Sequence, residues 1–308
     1  MTTRVAGLGG GDASYPGAPL RLIIPEVVGS AADLMSRIIG DGFAAVTGQP
    51  VIYENLFLEA GVTRGATAAP DGYTLLYGSA GNLALLPHVK KMVVDPLQDL
   101  LAVGRFVTQP SLLAVNPTLP VNNLQELVAM MRAQPGHLRM STAGAGTSGH
   151  FAGELLIAQA GVRPEVVHYH GGGPAIEAVV NNDAQWTMAP IAGRLPHVRS
   201  GKLRAIAIGS PARLRALPEV PTIAESGYLA YSAVGWGGIF VSKGTPQAVI
   251  ERLNAIMAAA IATPALRARF EAQGAEPAGS TPQEMAGILA QDYACYGELS
   301  AQLGLRIE

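Results

Sequence analysis

Short apolar runs that end in loops of small residues recur along this 308-residue chain, and that rhythm limits the folds open to it. Leu20–Ile24 leads to the loop 25–32, Tyr73–Tyr77 to 78–82, Leu138–Met140 to 143–149, and Val166–Tyr169 to 170–174. Runs of this length read as buried strands, and apolar residues at helical spacing follow them, as in Asp33–Val46 and Phe151–Ala160. A strand–loop–helix alternation argues for an α/β fold with a parallel sheet covered by helices. Leu100–Phe106 and Ser111–Val115 read as two further strands, the second a crossing between regions, with Trp236–Val241 as the return. Trp186–Met188 and Leu203–Ile208 complete a second α/β region, and the tail from Thr245 is helical except at 274–282.

Two lobes joined by two crossings enclose a cleft. Ligands of open α/β sheets gather beyond the carboxyl ends of the strands, where the four small-residue loops fall. Hydrophobic residues make up 49% of the chain and charged residues 14%, against roughly 25% charged in ordinary soluble domains, so a large core is available. With a formal net charge of −2 and no Lys/Arg cluster, nothing favours nucleic acid or an anionic membrane. Loops this poor in charge suit a small molecule held by backbone N–H groups.

The loop 141–154 spells Gly144-Ala145-Gly146-Thr147-Ser148-Gly149, formally the G-x-G-x-x-G of dinucleotide sites, with Glu165 about 20 residues on. The preceding strand is short and contains Arg139, and no hydride-transfer site follows. An NAD(P)-type enzyme is therefore the alternative to a loop that grips an anion or polar solute at a helix N-terminus. His168 and His170 are two apart on an expected strand and His150 pairs with Glu154 at i,i+4, yet no metal spacing links them. No nucleophile, base and orienter assemble, so neither catalysis, metal nor cofactor is expected. Cys295, the only cysteine, excludes an internal disulfide and reads as a buried or half-buried thiol in a helix. No run of about 18 apolar residues is present, and Met1–Ser14, with its glycines, reads as a flexible lead and not as a signal peptide.

Several motifs in order carry a family resemblance. They are Tyr15-Pro16, Pro25 through Asp33, Ala69 through Leu75, Ala143–Glu154, Tyr169-His170-Gly171 with Pro174-Ala175, Gly201 through Ala205, Leu217 through Thr222, Gly244-Thr245-Pro246 and Gly274 through Pro277. From about Tyr15 onward the chain resembles the substrate-binding receptors of tripartite tricarboxylate transporters, the Bug receptors. The resemblance implies a periplasmic, two-lobed, monomeric receptor of Venus-flytrap type. Such a receptor closes on a small organic acid or related polar solute and passes it to membrane components. It implies a first lobe of residues 15–112 with 236–308 and a second of 113–235. By position it places Gly29, Ser30, Gly78, Ser79, Ala145, Gly146, Thr147 and Ser148 at the ligand, with the Thr147 hydroxyl bonding it. Tyr169 and Pro174 would line the second wall.

Three departures from the family pattern bear on the ligand. The usual Pro-Phe-x-x-Gly-Gly is Pro25-Glu26-Val27-Val28-Gly29-Ser30, the glycine-rich loop after Glu-Asn is Leu56–Gly61, and an acidic position carries Gln185. All three are expected near the gripped carboxylate. If Glu26 faces the cleft it repels an anion by a few kcal/mol (roughly 4 at 4 Å and an effective dielectric near 20) and favours a cation or donor, such as an amide-bearing or amino-acid-like solute. The alternative is a Glu26 turned to solvent or paired with an arginine.

Overall fold

The computed structural model describes residues 15–305, so the expected flexible lead at 1–14 lies outside the described residues. Strand β1 (Leu20–Ile24) pairs in parallel with β2 (Val51–Asn55) and β3 (Thr74–Ser79). Parallel neighbours need crossovers, and α1 (Ala31–Thr47) and α2 (Glu59–Ala66) supply them. Ser30 caps α1 by accepting from Asp33 N–H at 3.2 Å, and Gly48, in the left-handed region, ends it. The stretch 78–82 is not a loop. Ser79 closes β3 and at once caps a π-helical turn, Ala80–Leu85, through a reciprocal box with Asn82. Short α3 (Leu86–Val89) and α4 (Pro96–Asp99) follow.

Where two strands were expected, β4 runs unbroken from Leu100 to Val115. Pro110 interrupts nothing because it sits where β4 changes partners, so its missing N–H costs no ladder bond. Up to Pro110, β4 pairs antiparallel with β9 (Val234–Ser242); from Ser111 or Leu112 it pairs with β7 (Trp186–Pro190) and β8 (Arg204–Ile208). Strands β5 (Arg139–Thr142) and β6 (Glu165–His168) extend the far side, giving the order β2-β1-β3-β9-β4-β7-β5-β6. Strand β10 (Glu276–Pro277) adds to β4. The second lobe carries α5 (Leu124–Ala133), α6 (Ser148–Ala160), α7 (Gly172–Val180) and α8 (Leu195–Arg199). The chain then returns along β9 to α9 (Gln247–Ala262), α10 (Pro264–Ala272) and α11 (Pro282–Leu303). The fold is two-lobed α/β, of the periplasmic-binding-protein kind, with β4 and β9 as its crossings.

Each lobe buries apolar side chains on both faces of its strands. Leu22, Ile39, Phe43, Phe106 and Phe270 fill one side of the first lobe, and Ile23, Leu76, Leu83 and Phe240 the other. In the second lobe Leu127, Phe151, Trp186 and Met188 oppose Ile176, Leu195 and Ile208. The lobes also share apolar contact. Leu85, Leu86 and Val89 pack with the Phe151 cluster, and so do Tyr296, Leu299 and Leu303 at the end of α11. The rings of Phe151 and Tyr296 meet edge to face at 4.5 Å. Cys295 lies one position off the buried stripe of α11 and is exposed, contrary to expectation. Among the described residues, no single helix is long and apolar enough to cross a membrane.

Candidate ligand cavity between the lobes

The first wall is set by a buried aspartate. Asp33 accepts from Gly29 N–H at 2.9 Å, Arg37 Nε at 3.0 Å and Asn55 Nδ2 at 3.0 Å. Against its burial, those hydrogen bonds hold the carboxyl below its ordinary value. Asn55 Nδ2 also donates to the Glu26 carbonyl at 3.0 Å, which fixes the turn from β1 into α1. The second wall is the start of α6. Thr147 caps it, accepting from His150 N–H at 3.4 Å and donating to the Gly144 carbonyl at 2.8 Å.

Between these walls lies a cavity of about 70 Å³. Ala31 and Ala32 of α1, Ala80 of the π-turn, Ser148 and Gly149 of α6, and Gly172 of α7 all line it. Four helix N-termini therefore converge on one space. First-turn N–H groups have no intrahelical acceptor and carry partial positive charge, so the cavity is an anion-attracting one.

Two formally charged side chains line the same space. Arg194, just beyond β7, is 3% exposed; one terminal nitrogen donates to the Pro190 carbonyl at 3.2 Å, while Nε and the other terminal nitrogen have no partner. Burial lowers its guanidinium to about 10, so it stays charged at neutral pH. Glu26 is half-buried, with Oε2 shielded and unpartnered, and burial raises its carboxyl to about 7. Glu26 lines the cavity, and among the described residues no ion pair reaches it or Arg194. Gln109, beside the partner change in β4, reaches Tyr77 Oη at 3.4 Å through Nε2 and leaves Oε1 unpartnered. Trp236, its indole N–H given to Asp292 at 2.7 Å, closes the base.

Of the residues expected at the ligand, Glu26, Ser30, Ser79, Thr147 and Ser148 line this cavity. Gly29, Gly78, Ala145, Gly146, Tyr169 and Pro174 stand outside its lining. Gly29 is exposed and spends its N–H on Asp33. Gly78 faces the core, where Leu83 and Phe240 occupy the space of a Cβ. Ala145 sits in the turn, and Gly146 gives its N–H to His150 Nδ1 at 3.2 Å. Tyr169 packs on the Ile176 cluster, and Pro174 is exposed on α7. The Thr147 hydroxyl donates its proton within its own loop, so it has none to give an anionic ligand.

Two of the departures lie elsewhere. Gln185 accepts from Arg139 N–H at 2.9 Å and donates to the Asn182 carbonyl at 3.2 Å, at the amino ends of β5 and β7. Flanking the loop after β2, Glu54 of that strand pairs with Arg21 at 2.8 Å and Glu59 at the start of α2 with Lys90 at 2.9 Å, while Phe57 of the loop reaches over Gly144. Strand β6 ends at His168, so His170 does not share a strand face with it. His168 Nδ1 meets Thr142 Oγ1 at 2.6 Å, and its ring crosses that of His150 at 4.7 Å. Among the described residues no three His, Cys, Asp or Glu side chains are placed to hold a metal ion.

Sequence reasoning missed Arg194, Gln109 and Trp236. Trp186–Met188 reads as a strand, and the place of Arg194 just beyond that strand's carboxyl end is the signal the sequence holds for it.

The chain has relatives with known names. A family model described as "Tripartite tricarboxylate transporter family receptor" matches residues 35–305. The protein BugT of Bordetella pertussis is 31% identical over 303 residues, covering 96% of this chain and 92% of BugT. Rpa4515 of R. palustris, solved with adipate, superposes with a TM-score of 0.90 at 26% identity, covering 95% of this chain and 99% of that one. MatC of Rhodopseudomonas palustris, solved with bound malate, gives 0.86 at 27% identity, covering 92% and 99%.

Proposed function

This chain belongs to the tripartite tricarboxylate transporter receptor family, and we propose that its cleft captures a small carboxylate-bearing solute for the membrane components of such a transporter. One observation carries the reading. A fully buried arginine with two unpartnered nitrogens stands among four helix N-termini. A buried unpaired charge costs the fold several kcal/mol, and an anion in the cavity offsets that cost. The malate of MatC and the adipate of Rpa4515 point to the same chemical class.

The contacts assigned to the ligand are Glu26, Ser30, Ser79, Ser148, the first-turn N–H groups of α1 and α6, and Arg194. The division into 15–112 with 236–308 and 113–235 follows the crossings, with the end of α11 resting on the second lobe. The receptor works as a periplasmic monomer without nucleic acid, cofactor or catalysis of its own. A dinucleotide on the 144–149 loop is disfavoured, because Gly146 N–H is engaged by His150 Nδ1.

Calorimetry with small mono- and dicarboxylates tests this. Arg194→Met should weaken any bound acid by about 1.5–3 kcal/mol, the worth of a charge-assisted hydrogen bond. Binding that survives this change intact, or a nicotinamide or flavin absorbance on the purified protein, would count against the reading.

A further inference from the structure

Apart from Glu26 and Arg194, the cavity lining is neutral: one acid and one base line one space. Glu26 Oε2 and Arg194 Nε and one terminal nitrogen are unpartnered, and among the described residues neither side chain pairs with the other or with a third charge, so each lacks a counter-charge of its own. A ligand with a single negative charge satisfies Arg194 and leaves Glu26 buried without a partner. A dicarboxylate brings a second negative charge to a wall that already carries one. A dicarboxylate can satisfy Glu26 only by protonating it, whereas a solute with one charge of each sign satisfies both groups in their charged forms.

We propose that the solute is a zwitterion, an amino acid or short amino-alkanoate whose carboxylate meets Arg194 and whose ammonium meets Glu26. This deepens the receptor reading and rests on it. The helix N-termini around the cavity favour a carboxylate there, and the Glu26 carboxylate offers the acceptor for the ammonium.

Proton exchange on binding reports which end meets Glu26. Burial holds Glu26 at about 7, so the empty site is partly protonated near neutrality. An arriving ammonium drives that proton off, and a second carboxylate draws one in. The other titratable groups facing the space are Tyr77, which burial holds far above neutrality, and Arg194, at about 10, so neither exchanges protons near pH 6.5.

The test is calorimetry of the full chain at pH 6.5 in two buffers of different ionisation enthalpy. Glycine, L-alanine, β-alanine and 4-aminobutyrate are titrated against acetate, propionate, butyrate and succinate. At least one amino acid should bind 100-fold or more tightly than its deaminated match, with net proton release. Glu26→Gln should remove most of that preference and the proton release. If the plain acids bind as tightly or more tightly, with proton uptake, and Glu26→Gln leaves or improves them, the zwitterion is overturned while the carboxylate receptor stands. If neither series binds, both readings fall.

Discussion

Val27, in the turn after β1, stands directly over Gly171, in the turn after β6, so closely that no Cβ fits on the glycine. Gly171 also sits at φ 105°, and its N–H donates to the Ala143 carbonyl at 3.0 Å. This pair marks how near the two lobes come in this structure. Gly171→Ala should prop them apart, lowering solute affinity by tenfold or more and enlarging the solute-saturated radius of gyration in small-angle scattering. Val27→Ala, added to it, should recover part of both; wild-type affinity in the single variant would show that this contact does not limit closure.

Glu26 makes the empty receptor less stable as pH rises. Below 4.5 the side chain is protonated in folded and unfolded chains alike and costs nothing. Between 4.5 and about 7 the unfolded chain ionises first, so stability falls, and above about 7 the cost is complete. That cost is on the order of 1–3 kcal/mol. Glu26→Gln should therefore raise unfolding free energy at pH 8 and leave it unchanged well below pH 4.5, as urea denaturation would measure. An equal gain at both values would trace the effect to packing.

Thr147 holds the start of α6 with both hydrogen bonds of its hydroxyl. Thr147→Val keeps the shape and loses the cap, which costs about 1–2 kcal/mol. Thr147→Ser should restore most of it. The effect belongs in the melting temperature of the empty protein, and a variant that loses affinity with no loss of stability would reassign the hydroxyl to the solute.

Cys295 is exposed, and burial of part of its surface together with Asp292 and Glu298 raises its thiol above the ordinary value. The thiolate is the reacting species, so the native protein should take up one equivalent of maleimide slowly at pH 7 and faster as pH climbs. Mass spectrometry of timed samples would follow it. Labelling that is fast already at pH 7 would contradict the raised value.

Local chemistry wrote much of the frame plainly. Ser30 and Thr147 each precede a helix and each caps it, and β1, β2 and β3 fall on apolar runs bounded by glycine and proline. Errors arose where a residue's meaning depends on distant partners. Pro110 looks like a strand break until β4 is seen to change neighbours at that point. Gly146 looks like a cradle for an anion, but the His150 ring four residues on takes its N–H. Gln185 stands at a position that resembles part of a ligand site, at the wrong end of its strand. Arg194 is an ordinary cation on paper; only the walls brought in from β1, β3, β4 and α6 bury it and leave its nitrogens unpartnered.

Helix α11 begins among first-lobe side chains, with Met285 and Leu289 on the Phe240 cluster, and finishes with Tyr296 and Leu303 on the Phe151 cluster. A rod clamped at both ends cannot follow two bodies that rotate apart. Whichever lobe it travels with, the clamp on the other must slip, and the Phe151–Tyr296 contact stands on that slipping surface. Any change in the angle between the lobes would therefore register at the Phe151–Tyr296 contact, whose Tyr296 lies far along the chain from the loops that line the cavity.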